Sequence, residues 1–384
     1  MALELREFRA SRYRSLTRIA YPVSDLEVFV GGNGVGKTNI YRALELVRSA
    51  AANTLGLDLA QEGMASAMWA GPRMRNAPAQ MSFSVGLSEP GRARPSYRYE
   101  VVVGFPQRVA APAFDQEPQV KEETLTFLGG RRPVQLLHRK GPSLAARDDE
   151  GRIVEVDADL LASETALGRL EDPSRYPDLD LVRRTLLQWR FYHDLRTDAA
   201  SPLRRPCPAV ATPNLASDGS NLAAVLATLA HIRGDTTELD SAIQAAFPGA
   251  RLVIEEPSGR DVAFALRFPE FPNREFEATE LSDGTLRYLA LAGALLAYRL
   301  PPFIALNEPE ASLHPSLMGP LADLVVRAAR KSQILLVTHS ETLADAIAGT
   351  GAAKIRTVEK RDGATCIAGL SRWGEFRDDD LEDE

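Results

Sequence analysis

The residues with the plainest chemical purpose are Gly31-Gly32-Asn33-Gly34-Val35-Gly36-Lys37-Thr38. They read G-x-x-x-x-G-K-T from Gly31, after an apolar run at Leu26–Val30 and before a segment of helical periodicity. Each residue type has its own reason. Glycines let the backbone bend tightly and bring N–H groups to phosphate oxygens. The helix that follows turns the positive end of its dipole toward the same anion. Lys37 brings a cation to the β- and γ-phosphates, and the Thr38 hydroxyl is a ligand for Mg2+. Gly31, Asn33, Gly34, Gly36, Lys37, Thr38 and Asn39 are the expected nucleotide-binding set. A glycine-rich turn with a chance lysine is the bland alternative, and the full motif between a strand and a helix argues against it.

Three more side chains able to do chemistry stand in the last third of the chain. Ser282 precedes a helical run, Glu308 closes the apolar segment PFIALN, and His339 closes QILLVTH. Singly, each has an ordinary structural reading. Ser-Asp-Gly before a helix is an N-cap, and a histidine ending a strand is usually packed. Ser282 stands 26 residues before Glu308. For His314 a structural role serves as well as a chemical one.

These residues need elements to hold them. Leu3–Phe8 and Leu26–Val30 read as strands, and Ile40, Leu44, Val47 and Ala51 share one face of a helix. From Met81 to Val156 the segments MSFSVGL, YRYEVVVGF, ETLTFL, VQLLHR and GRIVEV alternate apolar and polar between Gly and Pro, which predicts antiparallel strands. A helix is expected over Leu179–Arg190, a loop over the Pro-rich Ser201–Pro213, helices in NLAAVLATLAHI and TELDSAIQAAF, and a hairpin from RLVIEE and VAFALRF. After Leu281, helix and strand alternate (LRYLALAGALLAY, PFIALN, LMGPLADLVVRAA, QILLVTH), the pattern of βαβ units and a mainly parallel sheet. No repeat of fixed period and no heptad array long enough for a coiled-coil arm is present.

Composition narrows the class. The 384 residues are 45% hydrophobic and carry a net charge of −7, so the chain supports a sizeable core and is no polycation. Basic residues cluster at Arg12–Arg14, Arg73–Arg75, Arg92–Arg98, Arg139–Lys140 and Arg204–Arg205; scattered surface arginines explain them better than a DNA-binding face. Asp378, Asp379, Asp380, Glu382, Asp383 and Glu384 read as a solvated tail. Two cysteines, Cys207 and Cys366, are too few for a disulfide framework and fit a reducing cytoplasm. Arg6, Arg9, Arg12 and Arg14 interrupt any N-terminal signal, and the apolar stretch between Arg287 and Arg299 is too short to span a membrane.

The motifs of the last third resemble the ABC-type ATPase heads of the RecF and SMC group and the related prokaryotic AAA-type members. Leu281-Ser282-Asp283-Gly284-Thr285 is similar to the signature that opens a helix and reaches a partner's γ-phosphate. Phe303-Ile304-Ala305-Leu306-Asn307-Glu308-Pro309 resembles the Walker B strand with its catalytic glutamate. Glu310-Ala311-Ser312-Leu313-His314-Pro315 falls where the family has its D-loop. Ile334–Ser340 matches the strand that ends in a switch histidine. The resemblance implies an α/β fold: a P-loop NTPase head with a mainly parallel core sheet, an inserted antiparallel β-rich lobe and a helical segment. It implies ATP and Mg2+ as ligands, with Glu308, His339 and Lys37 catalytic, Ser282 and Gly284 on the nucleotide, and Thr38 and Asn307 at the metal. It covers both core halves, roughly residues 1–60 and 275–350, and the insertion only loosely. The expected division is 1–65 and 216–365 for the core halves, 66–215 for the inserted lobe and 366–384 for the tail.

One departure stands out. The family's Asp before the catalytic glutamate is Asn307 here, which keeps a carbonyl oxygen and loses the charge, so metal should be held less firmly. A slow ATPase is favoured over a switch that hardly hydrolyses. Gln80 and Gln188 both remain candidates for the family's Q-loop, and Arg12 and Arg14 resemble a segment that contacts phosphate or DNA in some relatives. The expected activity is ATP-dependent homodimerisation acting on DNA, in repair, maintenance or anti-phage defence. The competing reading is a sensor that controls a separate effector protein. A transporter head is disfavoured by the absence of a membrane segment and the long gap from Lys37 to Ser282, and a small-molecule kinase needs neither Ser282 nor His339.

Overall fold

A computed structural model describes residues 2–71, 78–106, 114–157, 159–193, 195–232, 236–254, 259–371, 374 and 376. The cluster Arg73–Arg75 and the acidic run from Asp378 lie outside them. The chain forms two compact units, one of Met1–Ser24, Gly31–Trp189 and Arg356–Glu384, the other of Asp25–Val30 and Arg190–Ile355.

In chain order the strands of the first half are β1 (Glu4–Tyr13), β2 (Leu16–Pro22), β3 (Leu26–Val30), β4 (Gln80–Ser88), β5 (Tyr97–Gly104), β6 (Gln119–Phe127), β7 (Val134–Lys140), β8 (Ser143–Arg147) and β9 (Ile153–Glu155). All but β3 build the first unit's sheet, ordered β2-β1-β4-β5-β6-β7-β8-β9 with every neighbour antiparallel. The five segments expected from alternation are strands here. The sequence reading stopped the first strand at Phe8, whereas β1 continues to Tyr13 and turns back through Arg14-Ser15 into β2. Arg12 and Arg14 adopt positive φ of 56° and 45°, a conformation awkward for a residue with a Cβ.

Helix α1 (Lys37–Ala51) packs against β1 and β4 and against α2 (Leu55–Glu62), α4 (Ala166–Arg169) and α5 (Pro177–Leu187), with α3 (Met64–Ala67) beside α2. Ile40, Leu44, Val47 and Ala51 are fully buried, as their 3.6-residue spacing requires. Deeper in the sheet, the buried Glu123 carboxylate accepts the amides of Ala166 and Leu167 at 2.6 and 2.9 Å and the Tyr99 hydroxyl at 2.9 Å. Burial pushes this carboxyl up, against the lowering effect of those donors and of Arg139. Arg139 is only 3% exposed and donates to the carbonyls of Gly141, Leu161 and Glu164, so it is no surface cation. It ties the loop before α4 to the sheet.

The second unit holds a parallel sheet in which β10 (Arg190–Tyr192), β16 (Phe303–Asn307), β17 (Gln333–Thr338) and β3 lie in that order. Between β10 and β16 come β11 (Cys207–Pro208), β12 (Arg251–Val253), β13 (Asp261–Val262), β14 (Ala265–Arg267) and β15 (Glu275–Glu277). The expected hairpin appears as β12 and β14, with β15 added as a third antiparallel strand. The Pro-rich passage is less of a loop than expected, because β11 within it pairs with β13. Helices α6 (Leu222–Ala227), α7 (Thr237–Ala246), α8 (Asp283–Leu295), α9 (Met318–Ala329) and α10 (Glu341–Ala348) pack around the sheet. From Leu286 to Leu295, α8 is buried on almost every side, which its Leu- and Ala-rich sequence permits. The last strands, β18 (Lys354–Arg361) and β19 (Ala364–Ile367), form an antiparallel hairpin. No helix among the described residues is long and apolar enough to cross a membrane.

Candidate nucleotide-binding and hydrolysis site

Gly31 follows the end of β3, and the loop to Gly36 leads into α1 without interruption. Gly34 and Gly36 take φ of 77° and 99°, accessible to glycine at no steric cost. At Gly36 the need is also spatial. A Cβ there would lie 1.9 Å from Thr365 Oγ1 and 2.6 Å from Ser15 Oγ. Gly31 is pressed on the carbonyl of Val358, 2.4 Å from where a Cβ would be. The Lys37 ammonium reaches back over the loop, donating to the carbonyls of Gly31 and Gly32 at 2.7 and 2.9 Å, and only 4% of the residue is exposed. A cation held across the loop, next to the N-terminus of a fifteen-residue helix, is an anion-binding arrangement.

Hydroxyls brace this loop from outside the motif. Thr365 Oγ1 lies 2.8 Å from the Val35 carbonyl and 2.6 Å from Ser15 Oγ, while the Thr365 amide donates to the Ser15 carbonyl at 2.9 Å. Asn39 completes the ring by donating to Ser15 Oγ at 2.6 Å. Arg14 sits beside it, paired with Glu62 and 3.4 Å from Asn39 Oδ1, with its guanidinium over the Tyr13 ring. Arg12 donates to the Pro78 carbonyl at 2.9 Å. Gln80 opens β4 and is half-buried; Gln188 caps the end of α5 and is exposed.

In the second unit, β16 and β17 run parallel with Asn307 opposite Val337, so their C-terminal ends are flush. The chain leaves β16 sharply. Glu308 has a φ of 49°, its amide donates to the Val337 carbonyl at 2.8 Å, and Arg287 of α8 donates to the carbonyls of Glu308 and Pro309 at 3.1 and 3.3 Å. A glutamate held in the left-handed region is strained, and this strain fixes where its carboxylate leaves the backbone. His339 Nδ1 lies 3.9 Å from Glu308 Oε1 and 3.4 Å from Glu310 Oε1. Glu308 and His339 are partly exposed. Glu310 is 7% exposed and accepts from the buried Thr338 hydroxyl and from the His339 amide at 3.1 Å.

Ser282 is the N-cap of α8, its Oγ accepting from the Thr285 amide at 3.2 Å. The residue is exposed. Gly284 lies against the carbonyl of Ser312, where a Cβ would approach within 2.8 Å, so the start of α8 is packed on the turn after Glu310. His314 caps the short turn Pro315–Leu317, its Nδ1 accepting from the Ser316 amide at 3.3 Å. Its visible role is structural.

Residues 27–345 match the family model described as "AAA domain, putative AbiEii toxin, Type IV TA system". The chain belongs to this AAA-domain family. Among curated proteins none matches its sequence. Among solved structures it is similar to an Smc head bound to the C-winged helix domain of ScpA, with a TM-score of 0.52 at 15% identity over 96% of this chain and 99% of that one. Two further Smc heads, one with an extended coiled coil and bound to the C-terminal domain of ScpA from Pyrococcus furiosus and one from Thermotoga maritima, give TM-scores of 0.49 and 0.44 at 14% identity. They cover 96% of this chain each, and it covers 96% and 99% of theirs. The AAA-domain chain thus has the P-loop fold of an ABC-type head, with the antiparallel lobe and the parallel sheet that its sequence pattern implies.

Sequence reasoning missed two groups of residues in this AAA-domain chain. Thr365 and Ser15, which brace the phosphate loop, carry no motif of their own. Arg204 and Arg287, read as one of a basic cluster and as the edge of an apolar run, have their guanidinium groups on backbone carbonyls.

Proposed function

We propose that this chain binds ATP with Mg2+ through Gly31, Asn33, Gly34, Gly36, Lys37, Thr38 and Asn39, and closes on a second copy around shared triphosphates. Ser282 Oγ and the amides at Gly284 cap the γ-phosphate held by the partner. Glu308 takes a proton from the attacking water as its oxygen bonds to the γ-phosphorus. The bond from that phosphorus to the bridging oxygen breaks, and ADP leaves with the electron pair. His339 senses the γ-phosphate, and its loss reopens the pair.

Thr38 and Asn307 would each offer one oxygen to a metal that arrives with the substrate. Thr38 offers a hydroxyl and Asn307 an amide oxygen, two neutral ligands of the kind that hold Mg2+ only together with phosphates and water. When bound, Mg2+ neutralises charge on the phosphates. The missing carboxylate at Asn307 supports slow turnover. The reading is chiefly supported by Glu308 and His339 facing each other at 3.9 Å from adjacent, flush strand ends.

The work of closing is directed at DNA, in repair, maintenance or anti-phage defence, and the chain acts in the cytoplasm. The second reading is a sensor that controls a separate effector protein with little hydrolysis, and Asn307 is the observation in its favour. An Smc head binding the winged-helix domain of a partner offers an analogy for such an effector.

Light scattering on Glu308→Gln with saturating ATP and Mg2+ tests the sandwich: a dimer is expected, and a monomer ends the reading. ATP hydrolysis with and without single- or double-stranded DNA, using Lys37→Ala as control, then separates the two roles. Stimulation supports action on DNA, and indifference to both favours the sensor.

A further inference from the structure

Arg204 stands in the Pro-rich passage, on a short 3-10 turn, Pro202–Arg204. The turn is anchored. Ser201 is fully buried, accepts from the Leu203 amide at 3.1 Å and donates to the Arg196 carbonyl, and the Leu203 side chain is buried. From this base Nε holds the chain's own turn, and the two Nη groups both reach the segment around Ser282. Nε donates to the Thr197 carbonyl at 2.8 Å. Nη1 meets the carbonyls of Ala278, Thr279 and Leu281 at 3.0, 3.2 and 2.7 Å, and Nη2 meets Asp283 Oδ1 at 2.8 Å. The acceptors bracket Ser282, three carbonyls before it and one carboxylate after it. The arginine side chain is only 10% exposed, and its bonds to Ala278 and Leu281 are partly buried.

We propose that Arg204 is a positioning residue for Ser282. It fixes the turn that launches α8, so that the Ser282 hydroxyl and the first amides of the helix meet an incoming anion in one orientation. It also neutralises three carbonyl dipoles beside the place where that anion arrives. Only a planar fork reaches all these acceptors; a lysine ammonium, with its donors on one atom, does not. The inference rests on the reading of Ser282 as a cap on the partner's triphosphate and adds the element that holds the cap in place.

The test uses the full chain and a fluorescent ATP analogue. Arg204→Lys should bind the analogue as a monomer within about twofold of the unaltered chain, yet in the Glu308→Gln background its ATP-driven dimerisation should weaken by about tenfold or more. The deciding readout is complementation. Arg204→Lys and Lys37→Ala should each hydrolyse ATP poorly alone and recover activity when mixed, because one composite site then joins an intact phosphate loop to an intact signature turn. A role confined to folding or to the chain's own nucleotide would give no recovery. Unchanged dimerisation, or no recovery on mixing, overturns the proposal. If Arg204→Lys does not fold, Asp283→Ala takes its place: Asp283 is exposed, and its loss removes the acceptor of Nη2 alone. The same pattern at smaller amplitude is expected, and unchanged dimerisation refutes. A Glu308→Gln chain that stays monomeric with ATP sinks the sandwich reading and this inference together; one that dimerises equally well with Arg204→Lys sinks the inference alone.

Discussion

Replacing Thr365 by valine asks how much the phosphate loop owes to a residue 330 positions away from Val35. Valine keeps the shape and removes the hydroxyl. Two hydrogen bonds disappear, to Val35 O at 2.8 Å and with Ser15 Oγ at 2.6 Å, at a site only 3% exposed where water does not readily replace them. At about 1 kcal/mol net for each neutral bond, the loss is about 2 kcal/mol. If the clasp shapes the loop, that energy appears in ligand binding, and ATP affinity falls about 30-fold. If it only stabilises the first unit, the melting temperature falls by about 4–8 °C and the affinity of the folded protein is unchanged. Isothermal titration with ATP and Mg2+, paired with thermal unfolding, separates the two. Thr365→Ser, which keeps the hydroxyl, should bind nearly as the unaltered chain does. A folded Thr365→Val protein that binds ATP within about twofold of normal refutes the idea that the clasp sets the loop.

Two other outcomes follow from the second unit. If Asn307 serves the metal as proposed, Asn307→Asp adds a charge to it and should raise the steady-state rate of ATP hydrolysis by about tenfold, with the largest gain at low Mg2+; a rate that does not rise would mean that metal binding is not what limits turnover. Glu310→Ala leaves the buried Thr338 hydroxyl and the His339 amide without their acceptor and should cost about 2–4 kcal/mol in denaturant unfolding. A cost below about 1 kcal/mol would show that relief from burying the carboxylate outweighs the lost bonds.

Much of the architecture was legible because periodicity reports burial. Ile40, Leu44, Val47 and Ala51 announced α1, and the alternating MSFSVGL and YRYEVVVGF announced β4 and β5. The phosphate loop was legible for another reason, since its chemistry tolerates few residue types. Pairing was not legible. Nothing in the β1 sequence says that it joins β4 across some seventy residues, because alternation names a face and not a neighbour. The end of β1 was hidden by Arg12 and Arg14, whose charges resemble the end of a strand while the strand runs on to Tyr13 and turns back through Arg14-Ser15. Buried arginines misled for a related reason. Composition counts Arg139 and Arg204 as surface cations, whereas each sits where several carbonyls converge, a property of the folded chain that no local pattern carries.

The ladder from Phe303–Gln333 to Asn307–Val337 has a consequence for what this protein can tolerate over time. The spacing of Glu308 and His339 is ruled by that ladder and is independent of the length of the connection that carries α9. Beyond Glu310, which holds Thr338 and the His339 amide, loops and helices in that connection are free to lengthen, shorten or drift in composition while the pair keeps its distance. A single-residue slip of β16 against β17 is another matter: both strands are buried on both faces, and the slip would carry Glu308 out of line with His339 and abolish the pair in one step. Variation should therefore accumulate around these two strands and spare their alignment.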